Sequence, residues 1–500
     1  MSFLKKLLSD TALYGVSSIV GRVFNYFLVP LYTAVLAPEE FGIQAELYIY
    51  VAFLNIIYTF GLETTFFRFC RDEDNQLVYE RLQSFLLLYA SVLSLGLWLM
   101  SENIAAALGY WGEGQYISML AGVLWIDTIL VLSFAKLRQE KKAKQFALIK
   151  IFNISINILL NVFFLLVCPF LYEGRYLGFL QPIIASFYVP NWGINYIFFS
   201  NLIANALQIP FFYKHFFRLR FSWNYTLLKP MLVYAYPLIF MGLAGMLNSM
   251  TDRIMLKYWL PTGFYPQHTT MAAVGIYAAA YKLSIFMSLA IQAFKYAAEP
   301  FFFDQSKKEQ SPEIFAKVMF YFVLACLSIF LVVSLNTKWL EIIFLRKSVY
   351  REAMVVVPIL LLANMFLGIY YNLSIWFKLK DKTHFGTWIS VGAAVATILL
   401  NLIFIPLGGY LACAVITLVV YFAMAVACYI IGNYHYPIPY PINKIGIHIM
   451  IGIIIFMFSS IIDVNLPLWV SIAFNNGLLL TYFLFLVYLW KSKQKWLFLR

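Results

Sequence analysis

The sequence predicts an all-α membrane protein of about fourteen transmembrane helices: two six-helix lobes, then two further helices. Three observations predict it. Hydrophobic residues make up 63% of the 500 and charged residues only 12%, against the roughly 25% that wets a soluble surface. Apolar stretches of about 20 residues recur from end to end, each able to cross a hydrocarbon layer about 30 Å thick. Two short matches recur at nearly one offset, Gly42 with Gly275 and Asn161 with Asn401. Continuous apolar runs satisfy their backbones as helices, because hydrocarbon offers no hydrogen-bond partner.

The elements follow in order. The first span, near 11–36, begins after "MSFLKKLLSD", which is too weakly apolar for a cleaved signal and reads as a retained anchor. It ends in "TAVLAPEEFGIQAELY", a polar break with Pro38, Glu39, Glu40 and Gly42 but no Lys or Arg. Spans near 43–66, 82–101, 115–135, 146–169 and 193–213 complete a first lobe, residues 1–220. Spans near 228–251, 272–300, 315–335, 353–376, 385–405 and 409–431 form a second, residues 221–435. Spans near 445–463 and 467–490, with a basic tail, occupy 436–500.

Basic residues orient the array. Of the 36 Lys and Arg, 26 fall in the two termini, the even-to-odd loops and the first few residues of the spans that follow them, and 7 in the odd-to-even loops. That split places both termini in the cytoplasm and the first break outside. The formal charge of +13 therefore reads as topology signals and attraction to anionic headgroups, not nucleic-acid binding. One loop departs from the pattern: "TKWLEIIFLRKSVYREAM" holds four of the seven outside charges, Lys338, Arg346, Lys347 and Arg351.

The repeats suggest duplication of a six-span unit. "EFGIQAELY" returns as "VGIYAAAY", and "INILLNVFFL" (156–165) returns as "ATILLNLIFI" (396–405) after a second basic loop. Six is even, so the copies share one orientation, related by an axis along the membrane normal with a ligand cleft between them.

Polar stripes supply a lining for such a cleft. Tyr277, Tyr281, Ser284, Ser288, Gln292, Lys295 and Glu299 recur three or four residues apart, one face of the eighth span. Ser18, Arg22 and Asn25 do so in the first; Asn153, Asn157 and Asn161 in the fifth; Asn201, Asn205 and Gln208 in the sixth. Lipid penalises such faces, so they point to protein or water. For the Asn faces, ordinary bonding between helices is an equal reading. Arg22 lies about 18 Å from either end of its span, where a lone ion costs at least about 2.5 kcal/mol. It reads as an anion contact or a structural ion pair. Lys282 projects about 120° from the stripe at 100° per residue, as a salt-bridge partner or a substrate contact. Asp127 has apolar neighbours and either pairs across spans or exchanges a proton. Glu46, Glu63, Asp252 and Arg253 lie nearer helix ends, where snorkelling suffices, although Glu46 and Glu299 also qualify as ion-pair or coupling residues.

Other chemistries lack their residues. No Gly-Lys pair exists for a P-loop, and the five histidines have no HExxH spacing. The five cysteines show no CxxC spacing, so neither metal nor disulfide framework is indicated. "RDEDNQ" (71–76) resembles a DxD motif but sits in a basic loop and reads as solvated charge. No cofactor and no enzymatic activity are expected; coupling to H+ or Na+ remains open.

The stretch "PLYTAVLAPEEFGIQAELY", then "GLETTFFRF", resembles the opening of the Wzx-type polysaccharide flippases, within the multidrug/oligosaccharidyl-lipid/polysaccharide (MOP) exporter superfamily. "TDRIMLKYWL" with "VGIYAAAYKL" and "AAEPFFF" is similar to that family's seventh and eighth spans. The resemblance implies twelve core helices in two lobes plus two more, and a cationic cavity. It also implies inversion of undecaprenyl-diphosphate-linked sugars across a bacterial inner membrane, alongside other polysaccharide assembly proteins. Arg22, Asn25, Tyr277, Tyr281, Lys282, Ser288, Gln292 and Lys295 are then the cavity candidates. The insertion "FYPQHTTMA" departs from the shorter first-half turn. A cation-coupled multidrug exporter is the nearest alternative, but it would favour acidic residues. A membrane glycan polymerase or ligase would need a larger outside loop than 170–192.

Overall fold

The computed structural model describes residues 24–497, apart from Asn25, 71–73, 175–177, 218, 222, 224, 306–310, 381 and 464–465. The principal helices are α1 (Leu28–Val35), α2 (Pro38–Thr59), α3 (Leu62–Phe69), α4 (Asn75–Leu99), α5 (Gly114–Gln139), α6 (Ala143–Val162), α7 (Asn195–Ala206), α8 (Tyr213–Phe217) and α9 (Tyr225–Trp259). They continue as α10 (Thr270–Leu283), α11 (Ile285–Gln305), α12 (Ser311–Leu335), α13 (Thr337–Phe344), α14 (Val356–Leu373), α15 (His384–His435), α16 (Ile442–Asp463) and α17 (Leu468–Leu497).

Among the described residues, ten helices are long and apolar enough to cross a membrane, or eleven if one bent pair counts as a span. The difference from fourteen has local causes. Most of the first span lies outside the described residues. The sixth is short, with α7 only 12 residues long before a 3-10 turn at Ile209–Phe212. The eleventh and twelfth are joined in the 52-residue α15, broken at Gly409 (φ 54°, ψ −137°). Phe385 and His435, at its two ends, lie with ring centroids 4.9 Å apart. A straight helix of that length would span about 78 Å, so α15 is a hairpin folded at Gly409.

The chain divides into two compact units, residues 1–275 and 276–500. The predicted boundary at 220/221 concerns duplication, whereas this one concerns packing. In the first unit α9 packs on the opening helices: Leu228, Met231 and Ala235 share a core with Leu62, Phe66, Val78, Tyr79, Leu82 and Leu132. Local chemistry sets the helix ends. Pro38 opens α2, Glu39 and Glu40 occupy its first turn, and Glu40 accepts from the Ala37 N–H at 2.8 Å. Negative charge there complements the helix dipole. Asp74 caps α4 by accepting from the N–H groups of Gln76 (2.8 Å) and Leu77 (3.0 Å).

In the second unit, two charges of the anomalous loop, Lys338 and Arg351, have structural uses. Lys338 pairs with Asp463 at 3.3 Å. Arg351 donates to the carbonyls of Leu345 (3.0 Å) and Arg346 (3.3 Å). Asn475 donates to the Leu335 carbonyl (2.8 Å) and accepts from Ser459 (2.6 Å), tying α12, α16 and α17 together.

Candidate functional site

The first unit buries an ion pair near the beginning of α2. Glu46, in the third turn of α2, is 1% exposed. Lys257, in the last turn of α9, donates to both carboxylate oxygens at 2.9 Å and to the Leu108 carbonyl at 2.8 Å. An ammonium has three N–H donors, so all are engaged. The Leu108 carbonyl is presented by a turn through Gly109, whose φ of +90° suits glycine alone. Tyr110 donates to Glu46 from that turn, and Tyr50, one helical turn beyond Glu46, donates to it at 3.0 Å. The Lys257 ammonium also lies 4.7 Å from the Tyr110 ring and 5.0 Å from the Tyr258 ring. A buried pair of this kind is a weak stabiliser overall, but removing either partner strands a charge. It therefore fixes one arrangement of α2 and α9.

Next to it, the glycine repeat closes on itself. A Cβ on Gly42 would meet the Met271 carbonyl and lie 3.2 Å from the Gly275 nitrogen; one on Gly275 would meet the Pro38 carbonyl and lie 2.9 Å from the Gly42 nitrogen. The starts of α2 and α10 thus touch backbone to backbone. Thr269 caps α10 through the Ala272 N–H (3.1 Å) and donates to Glu39 (3.2 Å).

The Asn faces meet one another. Asn153 donates to Asn205 (2.8 Å), as does Gln208 (3.1 Å); Tyr32 donates to Asn161 (3.0 Å), and Asn201 to Tyr48 (2.8 Å). Here interhelical bonding accounts for them. Asp127 on α5 faces the charge of Lys150 on α6, and the Lys150 ammonium sits 4.0 Å from the Phe134 ring centre.

In the second unit the predicted stripe is not one straight face. α10 and α11 meet at 49° around Ser284, whose hydroxyl donates to the Tyr281 carbonyl at 2.8 Å. Tyr277 is fully buried and stacks on Tyr410 with centroids 6.5 Å apart. Tyr281 is half-buried against it. Beyond the bend, Ser288 donates to the buried Asn364 at 3.4 Å, Gln292 is half-buried, and Lys295 lies 4.6 Å from the Tyr371 ring. Lys282 and Lys295 are exposed. Arg22, Asn25 and the Glu299 side chain lie outside the described residues.

Residues 33–302, more than half of the chain and the whole stretch from α2 to the end of α11's polar row, match the family described as polysaccharide biosynthesis protein. The chain belongs to that family. Its fold is similar to "Lipid II flippase MurJ, inward closed conformation" at a TM-score of 0.67 and 12% identity, over 94% of this chain and 98% of that one. It is similar to an inward-facing multidrug resistance MATE transporter of the MOP superfamily (TM-score 0.63, 12% identity, 83% and 94% covered). A MOP superfamily transporter from Pyrococcus furiosus follows at 0.56 and 12%, with 85% and 95% covered. No curated protein matches the chain. This polysaccharide biosynthesis protein is thus a multi-pass helical membrane protein whose fold is similar to those of a lipid II flippase and of multidrug transporters.

Within this family member, sequence reading misses Lys257 and Tyr110. The predicted seventh span ends near 251, but α9 runs to Trp259, so Asp252, Arg253 and Lys257 belong to its last turns rather than to a loop. Hydropathy locates the membrane-crossing part of a helix, not its end. The signal present is Lys257 four residues after Arg253, on one face.

Proposed function

We propose that this protein flips an oligosaccharide linked to undecaprenyl diphosphate across a bacterial inner membrane, for O-antigen, capsule or exopolysaccharide assembly. The family match across residues 33–302 carries this reading, and the similarity to a lipid II flippase supports it. A diphosphate cannot cross hydrocarbon unaided, since isolated ions cost on the order of tens of kcal/mol there. Arg22, Lys282 and Lys295 would receive the headgroup. Asn25, Tyr277, Tyr281, Ser288 and Gln292 would serve the sugars, and the prenyl tail would stay in lipid. Both termini lie in the cytoplasm, and the site is exposed alternately to the two sides. The Glu46–Lys257 pair and the Gly42–Gly275 contact hold the outer ends of α2, α9 and α10 together, so opening outward requires them to part. Asp127, beside Lys150, is the candidate for H+ or Na+ coupling.

The test is complementation of a strain lacking this gene. Arg22→Ala and Lys295→Ala should insert normally but abolish surface polysaccharide, with lipid-linked oligosaccharide accumulating on the cytoplasmic leaflet. Normal display in the deletion strain, with new sensitivity to cationic drugs, would give the multidrug-exporter reading instead.

A further inference from the structure

A second polar site lies at the far end of α5 from the Glu46 cluster. With 26 residues in α5, the two are separated by about 39 Å. It is a cavity of about 610 Å³ where α4 begins, α5 ends and α8 passes. Among the described residues, every side chain lining it is charged or polar, in a chain that is 63% hydrophobic. Specific ligand pockets commonly measure about 300–1,000 Å³.

Three lysines line it: Lys136 from α5, Lys142 from the loop that follows, and Lys214 from α8. Among the described residues, the two carboxylates that line it are already engaged. Asp74 caps α4, and Glu140 pairs with Lys142 at 2.6 Å. Lys136 donates to the Gln76 side chain and sits 4.5 Å from the Tyr79 ring, which fixes its ammonium in place. Among the described residues Lys214 has no carboxylate partner. His215 Nδ1 is buried there without a hydrogen-bond partner. Burial holds His215 below its usual range, Lys136 and Lys142 push the same way, and Glu140 opposes them. An arriving anion would relieve that repulsion.

We propose that this pocket binds a phosphate-bearing anion on the basic face of the membrane, separate from the transported substrate. It sits where α5, a helix long and apolar enough to cross a membrane, ends in charged residues, and basic pockets between transmembrane helices on the cytoplasmic side hold anionic headgroups. A lipid headgroup and a dissolved phosphate share this chemistry, so the experiment separates them.

The full-length protein in detergent is titrated with phosphatidylglycerol or phosphatidylcholine and read by native mass spectrometry. Phosphatidylglycerol should bind preferentially. Lys142→Gln with Lys214→Gln should weaken it about thirtyfold, the equivalent of about 1 kcal/mol for each lysine. Lys144→Gln, an exposed lysine outside the pocket, should leave it unchanged. Inorganic diphosphate that fails to displace the lipid identifies the membrane as the source. Displacement with the same dependence on Lys142 and Lys214 identifies water as the source, with the phosphate site upheld. Equal lipid binding by the native protein and the double variant overturns the proposal, as does an equal loss with Lys144→Gln. Should the double variant fail to fold, Lys214→Gln alone, on an exposed side chain, carries the same comparison.

Discussion

Gly42 and Gly275 hold matching places in the two halves of the sequence and lie against each other in the structure, where a Cβ on Gly42 would strike the Met271 carbonyl and one on Gly275 the Pro38 carbonyl. Their recurrence therefore marks a contact as well as a duplication. Gly275→Val would force α10 away from the Pro38 carbonyl, an overpacking cost of about 1–3 kcal/mol. The expected result is a lowered melting temperature and a Cys residue placed at Thr269 that reacts faster with an impermeant outside thiol reagent. Unchanged reactivity would show that the contact does not hold the outer ends closed.

Removing one partner of the buried pair should do more damage than removing both. Glu46→Gln leaves the Lys257 ammonium facing the Leu108 carbonyl without a counter-charge, a loss of about 3–5 kcal/mol. Glu46→Gln with Lys257→Gln removes both charges and should recover most of it. Thermal unfolding of the two single variants and the double variant in one detergent gives the coupling directly.

Asn161 and Asn401 are both fully buried, and each donates at 2.8 Å to the carbonyl four residues earlier, of Asn157 and of Thr397. Only Asn161 also accepts from Tyr32, whereas the Asn401 carbonyl oxygen has no hydrogen-bond partner among the described residues. Asn161→Leu orphans the Tyr32 hydroxyl and should cost about 1–3 kcal/mol. Asn401→Leu discards an already unsatisfied group and should be close to neutral. Equal melting shifts would contradict this asymmetry.

The His215 ring predicts a pH dependence. Its pKa in the fold lies below the ordinary value near 6.5, by burial first and then by Lys136 and Lys142, against the opposing pull of Glu140. The unfolded chain then takes up the proton more readily. The contribution to stability is complete above about 6.5 and declines as pH falls toward the folded value. His215→Asn should flatten the difference in melting temperature between pH 7.5 and pH 5.5. A bound anion favours the charged ring, so phosphatidylglycerol should bind more tightly across the same fall.

Helices are the legible part of the sequence, because a 20-residue apolar run has few other folded forms in hydrocarbon. The polar break before Gly42 and the paired Ile-Leu-Leu-Asn steps are also visible. Partners across long separations are not. Glu46 and Lys257 stand 211 residues apart, and Glu46 alone near a helix end reads as snorkelling. The bend at Ser284 leaves no trace in the period of the stripe, so the spacing puts Tyr277 and Lys295 on one line that the backbone breaks. Asn faces carry the same spacing whether they line water or bond to each other; here Asn153 and Asn205 chose each other.

The ammonium of Lys257 has no donor left over, and both oxygens of Glu46 are occupied. Separating the two exposes several strong polar groups at once, and only solvent can satisfy them. Under the proposed function, an outward opening that parts this pair is a hydration reaction, favoured by high water activity. Osmotic stress from solutes too large to enter should hold the protein shut.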